Sequence, residues 1–506
     1  MIQRLLIANR GEIAVRIMRA CRELGVETVA VYSDDDARAP HVLAADRAVH
    51  IGPAAPAESY LSIPNLIAAA QSAGADALHP GYGFLSESAA LADACERAQL
   101  VFVGPPSTVI ARMGSKIEAR RLMQSAGVPV VPGETPDDQS DQGLRRAVDR
   151  VGLPVLVKAS AGGGGKGMRS IRDAGEIDDA VRAARREATA AFGDGTLYVE
   201  RLVDRPRHIE VQIFGDHHGR IVHLFERECS AQRRHQKVIE ESPSPALTPA
   251  VRERITNAAV RAAAAVDYRN AGTVEFLLER ADAPGEADRF YFLEMNTRLQ
   301  VEHPVTEGIT GLDLVSAQLL VAAGAPLPWT QEAVTSRGHA IEARVYAEDP
   351  ARGFLPQAGR ILLYREPRMP GVRVDSGVAE HGEVSVHYDP MLAKVIATAE
   401  TREQARVRLV TALRQFPILG VRTNIAFLIG VLEHPRFRAG GIDTAFLDTE
   451  GAAIAAQIPV EAPSFVLAAI AAADEQERDA GAGPDAFGSG AQPAWDPWVR
   501  LIGWRA

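Results

Sequence analysis

Over roughly the first 110 residues, short apolar runs alternate with amphipathic stretches, a βαβ rhythm that predicts a parallel sheet covered by helices. Ile2 to Ala8, broken by Gln3 and Arg4, reads as an opening strand. Thr28-Val29-Ala30-Val31-Tyr32 reads as a second, and Leu100-Val101-Phe102-Val103, ahead of Gly104-Pro105-Pro106, as a late one. Gly74 to Leu78 reads as a strand end running into the loop His79-Pro80-Gly81-Tyr82-Gly83. In open α/β sheets such loops line the ligand crevice; a plain surface turn is the alternative.

A second segment, 115–204, is entered through Val128-Pro129-Val130-Val131-Pro132-Gly133 and centred on Pro154-Val155-Leu156-Val157-Lys158-Ala159-Ser160. From 205 to 450 strands and helices mix, with hairpin-like pairs, which predicts an α+β body. Beyond Glu450 an Ala-rich helical pattern gives way to Asp479-Ala480-Gly481-Ala482-Gly483-Pro484 and Gly488-Ser489-Gly490, read as a linker or a loose terminus. No repeat of solenoid period occurs.

At 506 residues, with 46% hydrophobic and 24% charged, the chain is expected to hold several globular domains. Its formal charge of 55 − 65 = −10 argues against nucleic acid as a partner and favours small-molecule chemistry. Three cysteines, Cys21, Cys95 and Cys229, form no Cys-x-x-Cys pair, so neither a disulfide framework nor a structural zinc site is expected. No apolar run approaches the roughly 20 residues of a membrane span, and no secretory leader is recognisable, so the cytoplasm is the expected compartment.

Four stretches carry chemistry. Gly162-Gly163-Gly164-Gly165-Lys166-Gly167 follows an apolar strand that ends in Lys158. Backbone N–H groups and two ammonium groups converging on one anion make a phosphate loop, against a flexible linker as the alternative; Gly167 rules out a Walker A motif. Thr273 to Leu278 and Phe290 to Asn296 read as two strands joined by a turn containing Pro284 and Gly285. Glu275 and Glu294 lie inside these apolar runs, and antiparallel pairing would bring them within about 5 Å, calling for a cation such as Mg²⁺ or Mn²⁺ unless each acid pairs with an arginine. Period-two alternation puts Phe292, Glu294, Asn296 and Arg298 on one face. In Arg298-Leu299-Gln300-Val301-Glu302-His303-Pro304, Arg298 suits a small carboxylate-like anion and Glu302 suits a general base, with an exposed charged turn as the alternative. Glu226 to Lys237 is dense in charge and reads by default as a solvated face, or as a second anion-binding wall.

Together with Ile7-Ala8-Asn9-Arg10-Gly11-Glu12-Ile13-Ala14, His79 to Glu87, Arg233-Arg234-His235-Gln236-Lys237 and Gly338-His339-Ala340-Ile341-Glu342-Ala343-Arg344, these stretches make residues 1 to 450 resemble the biotin carboxylase component of biotin-dependent carboxylases, in the ATP-grasp superfamily. The resemblance implies an α/β and α+β architecture: an N-terminal domain over 1–114, an ATP-grasp domain over 115–330 with a lid near 131–204, and a C-terminal domain over 331–450. It implies ATP held by Lys116, Lys158, Gly164, Gly165, His208, His235 and Glu275, with Glu200, Arg201, Leu202 and Val203 at the adenine. Glu275, Glu294 and Asn296 would hold Mg²⁺ or Mn²⁺. Lys237, Arg298, Gln300 and the Val301 backbone would hold bicarbonate, with Tyr82 beside the bicarbonate and biotin. Glu302 would be the base and Arg344 the partner of the biotin ureido oxygen.

Val374-Asp375-Ser376-Gly377, Tyr388-Asp389-Pro390-Met391 and Thr423-Asn424 look more like α subunits of acyl-CoA carboxylases than a stand-alone bacterial biotin carboxylase. Trp495 to Trp498 and Gly503-Trp504-Arg505, within 451–506, resemble the start of the domain that precedes a biotin carrier. No Ala-Met-Lys-Met motif occurs, so the chain reads either as a truncated α subunit or as a version whose carrier is a separate chain. Biotin is expected as a substrate on a carrier and not attached to this chain, with a carboxyltransferase β subunit as a further partner and a homo-oligomer or larger assembly. The alternatives are the equivalent portion of a pyruvate or urea carboxylase, and an idle nucleotide-binding scaffold.

Overall fold

The computed structural model describes residues 2–160, 167–281 and 288–458. The glycine-loop reading, with Gly164 and Gly165, the turn at Pro284 and Gly285, and the linker and Trp-rich readings all lie outside the described residues.

Strands β1 (Arg4–Ile7), β2 (Glu27–Ser33), β3 (Arg47–Gly52), β4 (Ala77–His79) and β5 (Val101–Phe102) form a parallel sheet in the order β3-β2-β1-β4-β5. Side chains alternate across it. Leu5 and Ile7 pack with Ile13, Ile17 and Met18 of helix α1 (Gly11–Leu24) on one face, while Leu6 and Ala8 pack with Leu66 and Leu91 on the other. Burial on both faces explains the continuous apolar runs that announced this sheet. Helix α1 starts at Gly11, whose φ of 66° suits glycine.

After α2 (Lys116–Ser125), a smaller antiparallel sheet, β6 (Gly133–Glu134), β7 (Val155–Ala159), β8 (Arg169–Ile171) and β9 (Leu197–Arg201), runs in the order β6-β9-β7-β8. Helices α3 (Asp141–Val151) and α4 (Ile177–Phe192) cover it. Leu144, Val148, Val157, Val181 and Val199 give this unit its own core.

The largest element is an eight-stranded antiparallel sheet. Its strands are β10 (Arg207–Gly215), β11 (Ile221–Arg233), β12 (Gln236–Ser242), β13 (Asn270–Glu279), β14 (Arg289–Asn296), β15 (His339–Tyr346), β16 (Val372–Ser376) and β17 (Met391–Ala399). They lie in the order β14-β13-β10-β11-β12-β15-β17-β16, so one sheet runs across position 330 through the β12–β15 pairing. Helix α5 (Pro249–Ala264) packs on Ile209, Val211, Val274 and Phe276, and Leu409 and Leu413 of a later helix pack on Ile341, Ala343 and Val395. Helix α6 (His303–Thr310) follows the turn after β14.

Two expectations are corrected. Glu226, Arg227 and Glu228 are buried within β11 rather than solvated, because their strand is interior to the sheet. Phe292 does not share a face with Glu294: Glu275 opposes Glu294 while Phe276 opposes Phe292, so Leu293 is an extra residue in a bulge that flips the alternation. Phe290, Phe292 and Met295 consequently lie in one apolar cluster. Among the described residues, no single helix is long and apolar enough to cross a membrane.

Candidate active site

The site is built on the polar face of the large sheet. In β10, His208-Ile209-Glu210-Val211-Gln212-Ile213 alternates strictly, so its isoleucines and valine enter the core under α5 and its polar side chains face the other way. Cross-strand register extends the polar row: Glu210 opposes Arg227 on β11 and Glu275 on β13, Glu240 opposes Glu342, and Arg344 opposes Lys394. So many buried charges are tolerable only if they neutralise one another.

Lys237 is the hub. Its Nζ lies 2.5 Å from Glu210 Oε2, 3.0 Å from Glu275 Oε1 and 2.6 Å from Glu302 Oε1. Burial works against its charge, but these three carboxylates hold the ammonium well above the usual lysine range. Arg344 approaches the other oxygen of Glu302 at 2.9 Å and reaches Glu240 at 2.5 Å. Burial opposes ionisation of Glu302, yet Lys237, Arg344 and Arg227 together keep it well below the usual carboxylate range. Arg227, fully buried, donates to Glu210, to Gln212 at 2.7 Å, to Thr306 of α6 at 2.9 Å and to Thr273 at 3.0 Å.

Arg298 donates to Gln300 Oε1 at 2.8 Å, to Glu87 at 3.1 Å and to Asn296 Oδ1 at 3.3 Å. Asn296 Nδ2 in turn donates to Glu275 Oε1 at 2.8 Å, and Gln300 Nε2 reaches the same oxygen at 3.4 Å. A cavity of about 310 Å³ opens beside them, lined by Glu87, Lys116, Glu294, Asn296, Thr297 and Arg298 among others.

The two acids expected to share a cation are direct register partners. Glu275 Oε2 is 2.9 Å from His208 Nε2 and its other oxygen is bound by Lys237, so this acid stays ionised. Among the described residues no cation pairs with Glu294. Burial and the Glu275 charge push its carboxyl above the usual range, with Lys116 pulling the other way. A carboxylate facing a second, buried one, with the Asn296 side chain beside them, fits a hard divalent cation. His208, Glu210 and Glu275 also bring ligand-type atoms within 4.8 Å of one another, but Lys237 already neutralises that group.

The nucleotide-side residues are less closely gathered. Lys158, buried on β7, is 2.5 Å from Glu200 on β9, and Arg120 is 3.7 Å from the same acid. The Arg201 and Leu202 amides donate to Pro132 and Pro154, Arg201 makes a bidentate pair with Glu279, and Val203 packs on Val131 and Tyr291. His235 stands exposed with φ 68° at the β11–β12 turn, whereas His208 is buried on β10. The hydroxyl of Tyr82 is buried without a hydrogen-bond partner among the described residues, and Asn9 fixes the Tyr82 carbonyl at 2.7 Å. The Val301 carbonyl accepts from Lys394 at 2.7 Å.

Sequence reasoning gave no role to Glu210, Arg227, Glu240, Glu87 or Lys394. Glu210 carried the signal that exposed Glu275, an acid inside an apolar strand. Nothing local marks Glu87, which reaches the site across 211 positions of sequence.

Three family profiles match the chain: "Biotin carboxylase, N-terminal domain" over 1–110, "Carbamoyl-phosphate synthase L chain, ATP binding domain" over 115–330 and "Biotin carboxylase C-terminal domain" over 342–449. The chain is 52% identical over 447 residues to a biotin carboxylase of Halalkalibacterium halodurans, covering 88% of this chain and 97% of that one. It is 51% identical over 447 residues to the mitochondrial methylcrotonoyl-CoA carboxylase subunit alpha of Rattus norvegicus, covering 88% of this chain and 62% of that protein's length. Among solved structures, the biotin carboxylase domain dimer of Hydrogenobacter thermophilus 2-oxoglutarate carboxylase, bound to MgADP, ADP and bicarbonate, superposes with a TM-score of 0.84 at 42% identity, covering 90% of this chain and 99% of that one.

Proposed function

The chain belongs to the biotin carboxylase family and has its ATP-grasp architecture, and from that premise we propose how this site carries out the ATP- and bicarbonate-dependent carboxylation of biotin. The observation that carries the assignment is the contact of Lys237 with Glu210, Glu275 and Glu302 while Arg344 takes the second oxygen of Glu302.

Lys237, Arg298, Gln300 and the Val301 amide bind bicarbonate. Lys116, Lys158, His208 and His235, with Gly164 and Gly165 of the glycine run, bind the ATP phosphates, and the Glu200–Val203 segment meets adenine. Glu275, Glu294 and Asn296 would hold Mg²⁺ or Mn²⁺, which neutralises phosphate charge. Glu302 takes the bicarbonate proton. Its carboxylate is a weak base while Lys237 and Arg344 both face it. Engaging those cations with substrate anions lowers their hold and raises its basicity. Bicarbonate then attacks the γ-phosphoryl group, giving carboxyphosphate and ADP. Carboxyphosphate releases CO₂ and a phosphate that takes the proton from biotin N1, and N1 attacks the CO₂ to give carboxybiotin. Arg344 stabilises the ureido oxygen as charge develops there, and Tyr82 lines the same pocket.

The domain division at 114, 330 and 450 is part of this reading, supported by the three family profiles. Likeness to the methylcrotonoyl-CoA carboxylase subunit supports a place in an acyl-CoA carboxylase, with biotin on a carrier and a carboxyltransferase partner, and likeness to the biotin carboxylase domain dimer supports paired copies of the chain. Three free, buried cysteines fit a reducing cytoplasmic setting. The test is phosphate release from ATP by the purified chain with and without bicarbonate, and with and without free biotin. Release that requires bicarbonate and rises with biotin is expected; ATP hydrolysis indifferent to bicarbonate overturns the assignment.

A further inference from the structure

Lys394, on β17, sits in register with Arg344 of β15 on one side and Asp375 of β16 on the other, yet it pairs with neither neighbour's direct partner in the site. Its side chain is wholly buried and leaves the sheet face toward the turn that follows β14. There Nζ donates to the Val301 carbonyl at 2.7 Å. Its nearest counter-charge is Glu12, at the start of α1, 3.2 Å away, with the buried Glu342 and Asp375 also favouring its charge, and the Tyr82 ring centroid is 5.8 Å from the ammonium. One ammonium therefore touches the N-terminal parallel-sheet unit, the C-terminal strands and the turn between β14 and α6.

That turn presents Gln300, the Val301 amide and Glu302 in consecutive positions. Its two preceding carbonyls are both tied down: His303 Nδ1 lies 2.8 Å from the Gln300 oxygen, and Lys394 holds the Val301 oxygen. The Val301 carbonyl belongs to the peptide that carries the Glu302 amide, so fixing it fixes the plane from which Glu302 departs. A lysine buried this deeply is costly unless it is paired and hydrogen-bonded, and Glu12 and the Val301 carbonyl supply both. The clamp is also sterically closed from the far side: a Cβ added to Gly377 would lie 2.4 Å from the Glu12 backbone nitrogen, so the strand-end loop after β16 is seated directly on the start of α1.

We propose that Lys394 is a positioning residue for bicarbonate activation: through the Val301 carbonyl it sets the Gln300–Val301–Glu302 turn, and through Glu12 it makes that setting depend on the seating of α1. This rests on the bicarbonate reading of the turn given above. Lys394 touches no reacting atom.

The experiment uses the full chain and two variants. Lys394→Met removes the ammonium. Lys394→Met combined with Glu12→Gln removes the ammonium and its nearest counter-anion together, so no new buried charge at Glu12 is left unpaired to compromise folding. Bicarbonate-dependent ATP cleavage is measured with bicarbonate and ATP varied separately, alongside MgADP affinity and thermal unfolding. In each folded variant, KM for bicarbonate is expected to rise about tenfold or more, the scale of one lost charge-assisted hydrogen bond, while KM for ATP and MgADP affinity stay within about twofold. A generally loosened fold would move both substrates' constants together. The proposal is overturned if a folded variant keeps the parent KM for bicarbonate, if both KM values rise in step, or if neither variant folds, which would make Lys394 a residue of the fold alone. Failure of the unmodified chain to need bicarbonate would instead defeat the functional reading.

Discussion

Lys237 and Glu302 meet at 2.6 Å between strand β12 and the turn before α6, and the same ammonium answers two further buried carboxylates, Glu210 and Glu275. Three acids around one lysine make that lysine a condition of the fold as well as of the chemistry. Lys237→Met should destabilise the chain by about 3–5 kcal/mol at neutral pH, the usual cost of orphaning buried partners. The sign of the pH dependence follows from Glu275 and Glu302, whose pKa values are depressed. Their contribution is present above the unfolded carboxylate pKa and lost as pH falls through the folded one. In the variant the acids titrate upward and can take protons, so its stability deficit should shrink between pH 8 and pH 5. Thermal unfolding of both proteins across that window checks this; a pH-independent deficit would show that the ammonium does not neutralise these acids.

Glu302→Gln keeps the shape of the side chain but removes the proposed proton acceptor and turns one of the two oxygens that face Lys237 and Arg344 into an amide NH₂. Lys237 retains Glu210 and Glu275, and Arg344 retains Glu240, so no cation is orphaned. Bicarbonate-dependent ATP cleavage should fall by about 10²-fold or more, the scale of a general base, with MgADP affinity preserved. Cleavage at the parent rate would place the proton elsewhere.

Glu294 offers a split between stability and binding. Its carboxyl is pushed up by burial and by Glu275, so above that raised pKa its charge works against the fold. Glu294→Gln should therefore unfold at the same temperature as the parent or higher at pH 8, while its Mg²⁺-dependent gain in nucleotide affinity falls by about tenfold or more as an anionic ligand is lost. Calorimetry without metal and nucleotide titration with and without Mg²⁺ separate the two effects. Unchanged Mg²⁺ dependence would remove Glu294 from the metal site.

What was legible in the sequence follows from how each feature is encoded. The inner strands of the parallel sheet, β1, β2 and β4, were readable because they are buried on both faces and appear as largely apolar runs, whereas the edge strand β3, half-exposed and carrying Arg47 and His50, was not. Glu275 and Glu294 stood out because a charge inside such a run has few bland explanations. The bulge at Leu293 was not legible: one extra residue changes the register without changing composition, and Phe292 moved to the core. The burial of Glu226 to Glu228 was hidden for a related reason. A charged strand inside a polar-faced sheet has the composition of a surface segment, and only its neighbours Arg207, Arg252 and Ser244 show that the charges are answered. Glu87, Glu12 and Lys394 are set by long-range packing between distant parts of the chain, on which local pattern is silent.

In the proposed mechanism Arg344 separates the two halves of the reaction. It lies 2.5 Å from Glu240 and 2.9 Å from Glu302. Burial pushes Glu240 up to about 7, against the pull of Arg344, so in Arg344→Gln the freed Glu240 takes a proton at neutral pH and adds no charge to the site. Glu302 keeps Lys237 at 2.6 Å and remains ionised and able to accept the bicarbonate proton. Carboxyphosphate should still form, but the ureido oxygen of biotin loses its cation, and the unstable intermediate is consumed by water instead. The expected signature is a ratio: carboxybiotin formed per phosphate released drops about tenfold or more, while bicarbonate-dependent phosphate release falls far less. Parallel counting of phosphate and of acid-labile carboxylated biotin reads both quantities. Equal losses in the two would mean that Arg344 serves Glu302 and bicarbonate rather than biotin.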